Sequence, residues 1–309
     1  MSGRRGFVLV VVLVVVALLT SLTVLFINEV YLEVTAEHNA RDAAQGSLFA
    51  QGGITGALQL LTATAGSQSY TTLNDLWAKP ILLDEEQGEL RIAIEDETGK
   101  LNLNMVSLPN GSFNEPYRLM ALRLFTLLKL PPELVETLAD WTDEGDTPHP
   151  NGAESSWYQS LKPPYLPRNS YLKTVDELAL VKGFAGAPLQ RIRPFVTVYG
   201  DLPPGAPAAP ININTAPKEV LMALDERIGS TLADRIIVYR RDTPFKTAAD
   251  LAQVPGMEGI APSLLTRIAT KGAVYRIRSE ATVNGVTRTI EAVVRLGGAS
   301  PDILYWREY

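Results

Sequence analysis

The sequence predicts an α+β protein: a long N-terminal helix packed on a small antiparallel sheet, with a large all-α insertion of two repeated helical modules. Three observations predict it. An uncharged run at residues 7–27 is followed by helix-compatible sequence with no proline before Pro80. Alternating apolar residues mark strands near both ends of the remaining chain. Between those strands, three blocks of sequence recur in the same order.

The opening run is long enough to cross a bilayer, which takes about 20 apolar residues. A lone span must be helical, since a helix satisfies its own backbone groups in hydrocarbon. Arg4 and Arg5 precede the run, whereas Glu29, Glu33 and Glu37 follow it. The positive-inside bias then keeps the N-terminus cytoplasmic and the bulk of the chain outside. A cleaved secretory signal is the competing reading. Its apolar core is shorter and ends at a small-residue site, which this chain lacks before Asn28.

Beyond residue 27 the helix is expected to continue. Glu37 and Arg41 stand four apart in the favourable acid-first order. Leu48, Phe49, Ile54, Leu58 and Leu61 recur at roughly helical spacing as a docking stripe, weakened locally by Gly52-Gly53. Residues 28–99 are assigned to this helix and the first strand. In that strand Leu90, Ile92 and Ile94 alternate with Arg91, Ala93 and Glu95, and residues 95–99 close it. Near the C-terminus, residues 273–283 and 286–296 flank Asn284-Gly285, the sequence of a type I′ hairpin. Tyr275, Ile277, Ala281 and Val283 share its apolar face. Residues 272–309 are assigned to this hairpin and a tail.

The repeat lies between the strands. Lys100-Leu-Asn-Leu-Asn104 is echoed by Pro210-Ile-Asn-Ile-Asn214, and Leu138-Ala-Asp-Trp141 by Leu232-Ala-Asp-Arg235. Lys173-Thr-Val-Asp-Glu-Leu-Ala-Leu-Val-Lys-Gly183 matches Lys246-Thr-Ala-Ala-Asp-Leu-Ala-Gln-Val-Pro-Gly256. Two copies of one module are expected at 100–200 and 211–271. A Pro-rich spacer at 201–210 separates them. Between Asp140 and Lys173 the first copy carries 21 residues more than the second does between Asp234 and Lys246. An unstructured insertion of that length is usually functional or disordered.

Composition narrows the chemistry. The formal net charge of −6 opposes a partner held through phosphates. There is no cysteine, and His38 and His149 are the only histidines. No Cys/His zinc site and no nucleophile–base pair suggests itself, so no enzyme is expected. The insertion concentrates oxygen donors: Asp140, Asp143, Asp146, Asn151 and Glu154. Calcium takes six to eight such oxygens, while a solvated acidic loop fits the same charge pattern. The spacing is not that of an EF-hand.

Two resemblances follow from these motifs. Ile211-Asn-Ile-Asn-Thr-Ala216, Ile228-Gly229 and Val254-Pro-Gly-Met257 resemble the helix-hairpin-helix domain of competence DNA receptors. A membrane-anchored receptor for DNA uptake is therefore the alternative function. Asp225, Glu226 and Glu258 stand where an anion would approach, which opposes it.

Over nearly its whole length the chain more fully resembles minor pseudopilin K of type II secretion systems. Arg4-Arg5-Gly6 before Phe7 resembles a type IV pilin-like leader. Asp140-Trp-Thr-Asp143 through Gly152-Ala-Glu154, with the Lys-Thr-Val-Asp-Glu-Leu and Ile-Asn-Ile-Asn-Thr-Ala blocks, resembles that family's helical insertion. The resemblance implies a type IV pilin-like fold and cleavage by a prepilin peptidase between Gly6 and Phe7, with methylation of the new N-terminus. It implies calcium at Asp140, Asp143, Asp146 and Glu154. It also implies a single-pass inner-membrane subunit with a periplasmic bulk, incorporated into the pseudopilus after processing. Implied partners are minor pseudopilins I and J, the inner-membrane assembly platform, and secreted substrates or the outer-membrane secretin; nucleic acid is not among them. Val11 stands where most pilin-like subunits carry glutamate. A lone carboxylate in the bilayer costs about 2.5–3.5 kcal/mol, so valine fits a subunit with none above it, at the tip.

Overall fold

A computed structural model describes residues 3–85, 88–200, 209–297 and 300–309. Residues 201–208 of the expected spacer and the first two residues of the leader lie outside the described residues. The elements run in chain order as α1 (Gly3–Ala63), β1 (Ile81–Glu85), β2 (Gly88–Asp96), β3 (Leu101–Asn102), α2 (Glu115–Leu127), α3 (Leu134–Thr142), α4 (Ser155–Gln159), α5 (Ala187–Ile192) and β4 (Val196–Thr197). They continue as β5 (Ile211–Asn212), α6 (Lys218–Leu224), α7 (Ser230–Asp242), β6 (Ile268–Ala269), β7 (Val274–Val283), β8 (Val286–Arg295) and β9 (Asp302–Glu308).

The first helix has 61 residues and is about 90 Å long at 1.5 Å per residue. Its first half is long and apolar enough to cross a membrane, and its residues from Gly6 to Arg41 are exposed. From there it lies on a five-stranded antiparallel sheet of order β1-β2-β7-β8-β9. Asn284 and Gly285 carry φ of 48° and 83° in the β7–β8 turn, as a type I′ hairpin requires.

Four of the five expected stripe residues pack on the sheet, Ile54 and Leu61 buried and Phe49 and Leu58 partly buried, and only Leu48 does not. Ala50, Ile54, Ala57 and Leu61 are buried against Ile92, Ile277, Ile290 and Val294, while Leu48 is 66% exposed on the far side. Small residues win the contact because they let the helix axis approach the sheet. Gly53 shows why: a Cβ there would overlap Ser279 Oγ and press on Leu90 and Ile92. The glycine pair does not break the helix, and its neighbour Gly52 faces open space. Glu37 and Arg41 are exposed and form no ion pair among the described residues. Beyond the helix, Trp77 closes the end of this core, edge-to-face on Tyr275 at 5.1 Å.

The two inserted segments repeat each other bond for bond. In the first, Asn104 donates to Leu172 O and Val198 O and accepts from Leu172 N. In the second, Asn214 donates to Phe245 O and Thr270 O and accepts from Phe245 N. Lys173 N donates to Glu177 Oε2 as Lys246 N does to Asp250 Oδ2. Each segment is closed by a two-residue parallel strand pair, β3 with β4 and β5 with β6. The expectation of an all-α insertion is corrected to that extent: the Leu-Asn-Leu-Asn and Ile-Asn-Ile-Asn blocks start as strands, because their first backbone groups find partners where the module's chain returns.

Both segments hang from the end of β2. Glu97 is fully buried and accepts from Lys100 Nζ (2.7 Å), Arg276 Nε (2.9 Å) and Thr197 Oγ1 (2.5 Å). Asp96 accepts from Asn212 Nδ2 (2.8 Å) and Thr215 Oγ1 (2.7 Å) of the second segment. Burial pushes the Glu97 carboxyl up, but Lys100 and Arg276 outweigh it and hold the group below its ordinary value.

Two outcomes follow for the full chain in detergent. Glu97→Gln should cost up to about 3–5 kcal/mol of unfolding free energy, because it removes the buried anion shared by Lys100 and Arg276 and leaves them only Glu95 and Glu291. The stability Glu97 supplies is complete above its ordinary pKa of 4.5 and is lost as pH falls through its lowered folded value. The variant should therefore lose less than the parent on acidification. Gly52→Ala should raise stability by up to about 1 kcal/mol through helix propensity, whereas Gly53→Ala, with the same propensity gain, should lower it. Parallel denaturant curves check both pairs.

Candidate metal centre

The surplus loop of the first segment folds back on the helix that launches it. Asp143 N donates to Ala139 O (2.9 Å), so the last turn of α3 stays intact and presents Asp140 and Asp143 three residues apart on one side. Asp140 is fully buried and gathers the loop. It accepts from His149 N (3.1 Å) and Ala153 N (2.6 Å), and its Oδ1 lies 2.5 Å from His149 Nδ1. Gly152 is needed for this closure, because a Cβ there would overlap Asp140 Oδ2. Asp143, also buried, accepts from Gly145 N (2.7 Å).

Glu154 enters from the N-terminal end of α4. It is 2% exposed, and neither carboxylate oxygen has a hydrogen-bond partner. A buried charge without a partner is strongly destabilising. Burial first, then the charges of Asp140, Asp143 and Asp146, push its carboxyl up to about 8. Burial likewise raises Asp143. The ligand atoms of Asp140, Asp143 and His149 all lie within 4.8 Å of one another. Converging acids with an unsatisfied buried carboxylate fit a cation, and the oxygen-rich donor set suits a hard divalent one.

The other expected residues are placed differently. Asp146 is exposed at the rim, where its Oδ1 accepts from Ser155 N (3.2 Å). Asn151 turns away, donating to Glu136 Oε2 (3.1 Å). His149 joins the cluster from nine residues along the chain, and no sequence spacing announced it. The loop is clamped rather than loose. Trp141 packs edge-to-face on Tyr158 and Tyr165 and donates to Glu177 Oε1 (2.9 Å). Lys182 Nζ binds the carbonyls of Asn151 (3.2 Å) and Gly152 (2.9 Å).

The hairpins of the second segment are closed to phosphate by their own acids. Gly256, at φ 98°, donates its N–H to Glu258 Oε2 (2.9 Å). Arg227 N donates to Asp225 Oδ1 (3.1 Å), and hydrogen bonds from the Arg227 side chain pull the Asp225 carboxyl down to about 2. At the other end of the molecule, Gly6, Phe7 and Val11 lie on the exposed apolar part of α1.

Comparison with known proteins bears on this arrangement. Family models described as type II secretion system (T2SS), protein K match residues 99–201 and 211–271. Among relatives, the type II secretion system protein K of Pseudomonas aeruginosa is 32% identical over 81% of this chain and 77% of its own length. That of Aeromonas hydrophila is 27% identical over 73% of this chain and 72% of its own length. The fold matches a chain in the crystal structure of the GspK-GspI-GspJ complex from enterotoxigenic Escherichia coli, with a TM-score of 0.75 and 19% identity over 89% of this chain and 99% of that one. The protein is a member of the type II secretion system protein K family.

Proposed function

We propose that this chain is the minor pseudopilin at the tip of a type II secretion pseudopilus, starting its assembly with minor pseudopilins I and J and so supporting protein export across the outer membrane. The observation that carries the reading is the division of α1. Its residues from Phe7 to Val34 are uncovered along their whole length, while from Ala43 onward one face, Ala43, Ala50, Ile54, Ala57 and Leu61, is buried on the sheet. Such a helix suits lodging in lipid and then bundling with similar helices. The head formed by the two inserted segments is carried at one end only, which leaves no seat for a further subunit above it. Cleavage between Gly6 and Phe7 by a prepilin peptidase, an inner-membrane anchor with a cytoplasmic N-terminus, and a periplasmic head complete the proposal. Its role is structural, without catalysis. The filled hairpins of the second segment favour this over a DNA receptor.

Calcium belongs to the same proposal. Asp140, Asp143 and Glu154 would hold it from the buried side, with Asp146 at the rim, and it would supply the charge that offsets three converging acids. The loop would then be braced by cation binding rather than by its hydrogen bonds alone.

Two experiments test this. The full chain, coexpressed with pseudopilins I and J and extracted in detergent, should purify as a ternary complex whose K subunit starts at N-methylated Phe7. Separate elution, or a location along the filament shaft, would overturn the reading. In thermal unfolding, calcium at about 100-fold over its Kd should add roughly 2.7 kcal/mol. Glu154→Gln should raise the melting temperature in EDTA and abolish the calcium increment. A melting temperature indifferent to EDTA and millimolar calcium would remove the cation from the account.

A further inference from the structure

We infer that His149 makes the acidic loop a site for borderline transition ions, Zn2+ foremost, in addition to calcium; this rests on the cation reading of the loop given above. Calcium draws on hard oxygens and gains nothing from an imidazole. Yet the structure seats an imidazole nitrogen inside the carboxylate set. His149 Nδ1 lies 2.5 Å from Asp140 Oδ1, and the ligand atoms of His149, Asp140 and Asp143 share a space 4.8 Å across. On an ion with bonds of about 2.0–2.2 Å, neighbouring donors stand about 3 Å apart and opposed donors about 4.2 Å. The cluster thus needs to open by about 0.5 Å at the Asp140–His149 contact to admit such an ion.

The ring is held for that task from three sides. Its own backbone N–H donates to Asp140 (3.1 Å), its ring lies 4.8 Å from that of Phe113 at a tilt of 51°, and its side chain is only 20% exposed. Glu154, near enough to feel the charges of Asp140, Asp143 and Asp146, is the candidate fourth donor. Its two oxygens are buried and without hydrogen-bond partners, and the side chain is 2% exposed. Two carboxylates and an imidazole, with Glu154 as a third carboxylate, would form a mixed oxygen and nitrogen set, which suits Zn2+ and Mn2+ better than it suits an alkaline-earth ion, with Zn2+ above Mn2+ in affinity. A histidine serving only to accept or donate one hydrogen bond to Asp140 would leave metal affinity independent of its nitrogen.

The test uses the full chain in detergent, stripped with EDTA. Loaded with Mn2+, it should show 14N modulation in pulsed electron paramagnetic resonance, and His149→Gln should abolish that signal. By calorimetry Zn2+ should bind at least roughly tenfold more tightly than Ca2+. The same variant should weaken Zn2+ by about tenfold or more and Ca2+ by less than about threefold. Asp140→Asn should weaken both ions. Bound Mn2+ without nitrogen coupling, or Zn2+ affinity unchanged in His149→Gln, would overturn the inference while leaving calcium in place. Failure of every divalent ion to bind would overturn the cation reading itself, and this inference with it.

Discussion

The pair of buried acids at the end of β2 is the constraint on which the rest of the molecule depends. Asp96 and Glu97 are adjacent and both buried, and each is claimed by a different inserted segment. Glu97 joins Thr197 and Lys100 of the first segment to Arg276 of the sheet, and Arg276 is further paired with Glu291 on β8. Asp96 takes Asn212 and Thr215 of the second. Space is so close that a Cβ on Gly272 would overlap both Tyr275 and Asp96. The ionic cluster of Glu97 adds little net stability over apolar groups, but breaking one partner is costly, while Asp96 is met by neutral donors and its carboxyl is pushed up by burial. Their consequence here is geometric: both segments enter and leave within one short stretch of the sheet, so the head is carried at one end of a long helix.

That helix answers to two solvents. Toward the N-terminus it is apolar on every side, and long and apolar enough to cross a membrane. Toward the C-terminus, contact with a sheet governs it, and the residues that matter are the small ones. Thr20, Ser21 and Thr23 lie in the apolar half, yet each hydroxyl bonds a carbonyl four residues back, so no polar group is left bare. The same chain of reasoning links composition to assembly: a helix covered on one face at one end and on no face at the other is suited to gain neighbours along its length.

The acidic loop is built on the opposite logic. Most of its polar groups are satisfied, and the loop is packed under Trp141, Tyr158 and Tyr165. Among the described residues of the loop, Glu154 has both carboxylate oxygens, and Asn169 its Oδ1, unpartnered in the interior. Burial and the neighbouring acids raise the Glu154 carboxyl to about 8, so it holds a proton near neutrality, and a cation, on the proposal above, would take the proton's place. Site and stability are therefore one problem in this loop.

Much of this was legible in the chain. Residues 7–27 announce a span by length and lack of charge, Asn284-Gly285 announces a hairpin by its need for positive φ, and the Leu-Asn-Leu-Asn echo announces a repeat. Asp140 and Asp143 come together because three residues is one helical turn. Glu154 was found from composition alone. What the chain withheld was decided by partners distant in sequence. The edge strands β1 and β9 became strands through the ladders they complete, since neither has a clear alternating pattern. Leu48 looked like a core residue, but close packing against the sheet selected Ala50 and Ala57, because apolar character does not reveal how near two backbones will come. His149 reached the carboxylates only when the loop reversed around Gly152, a closure set by backbone contacts that local spacing does not encode.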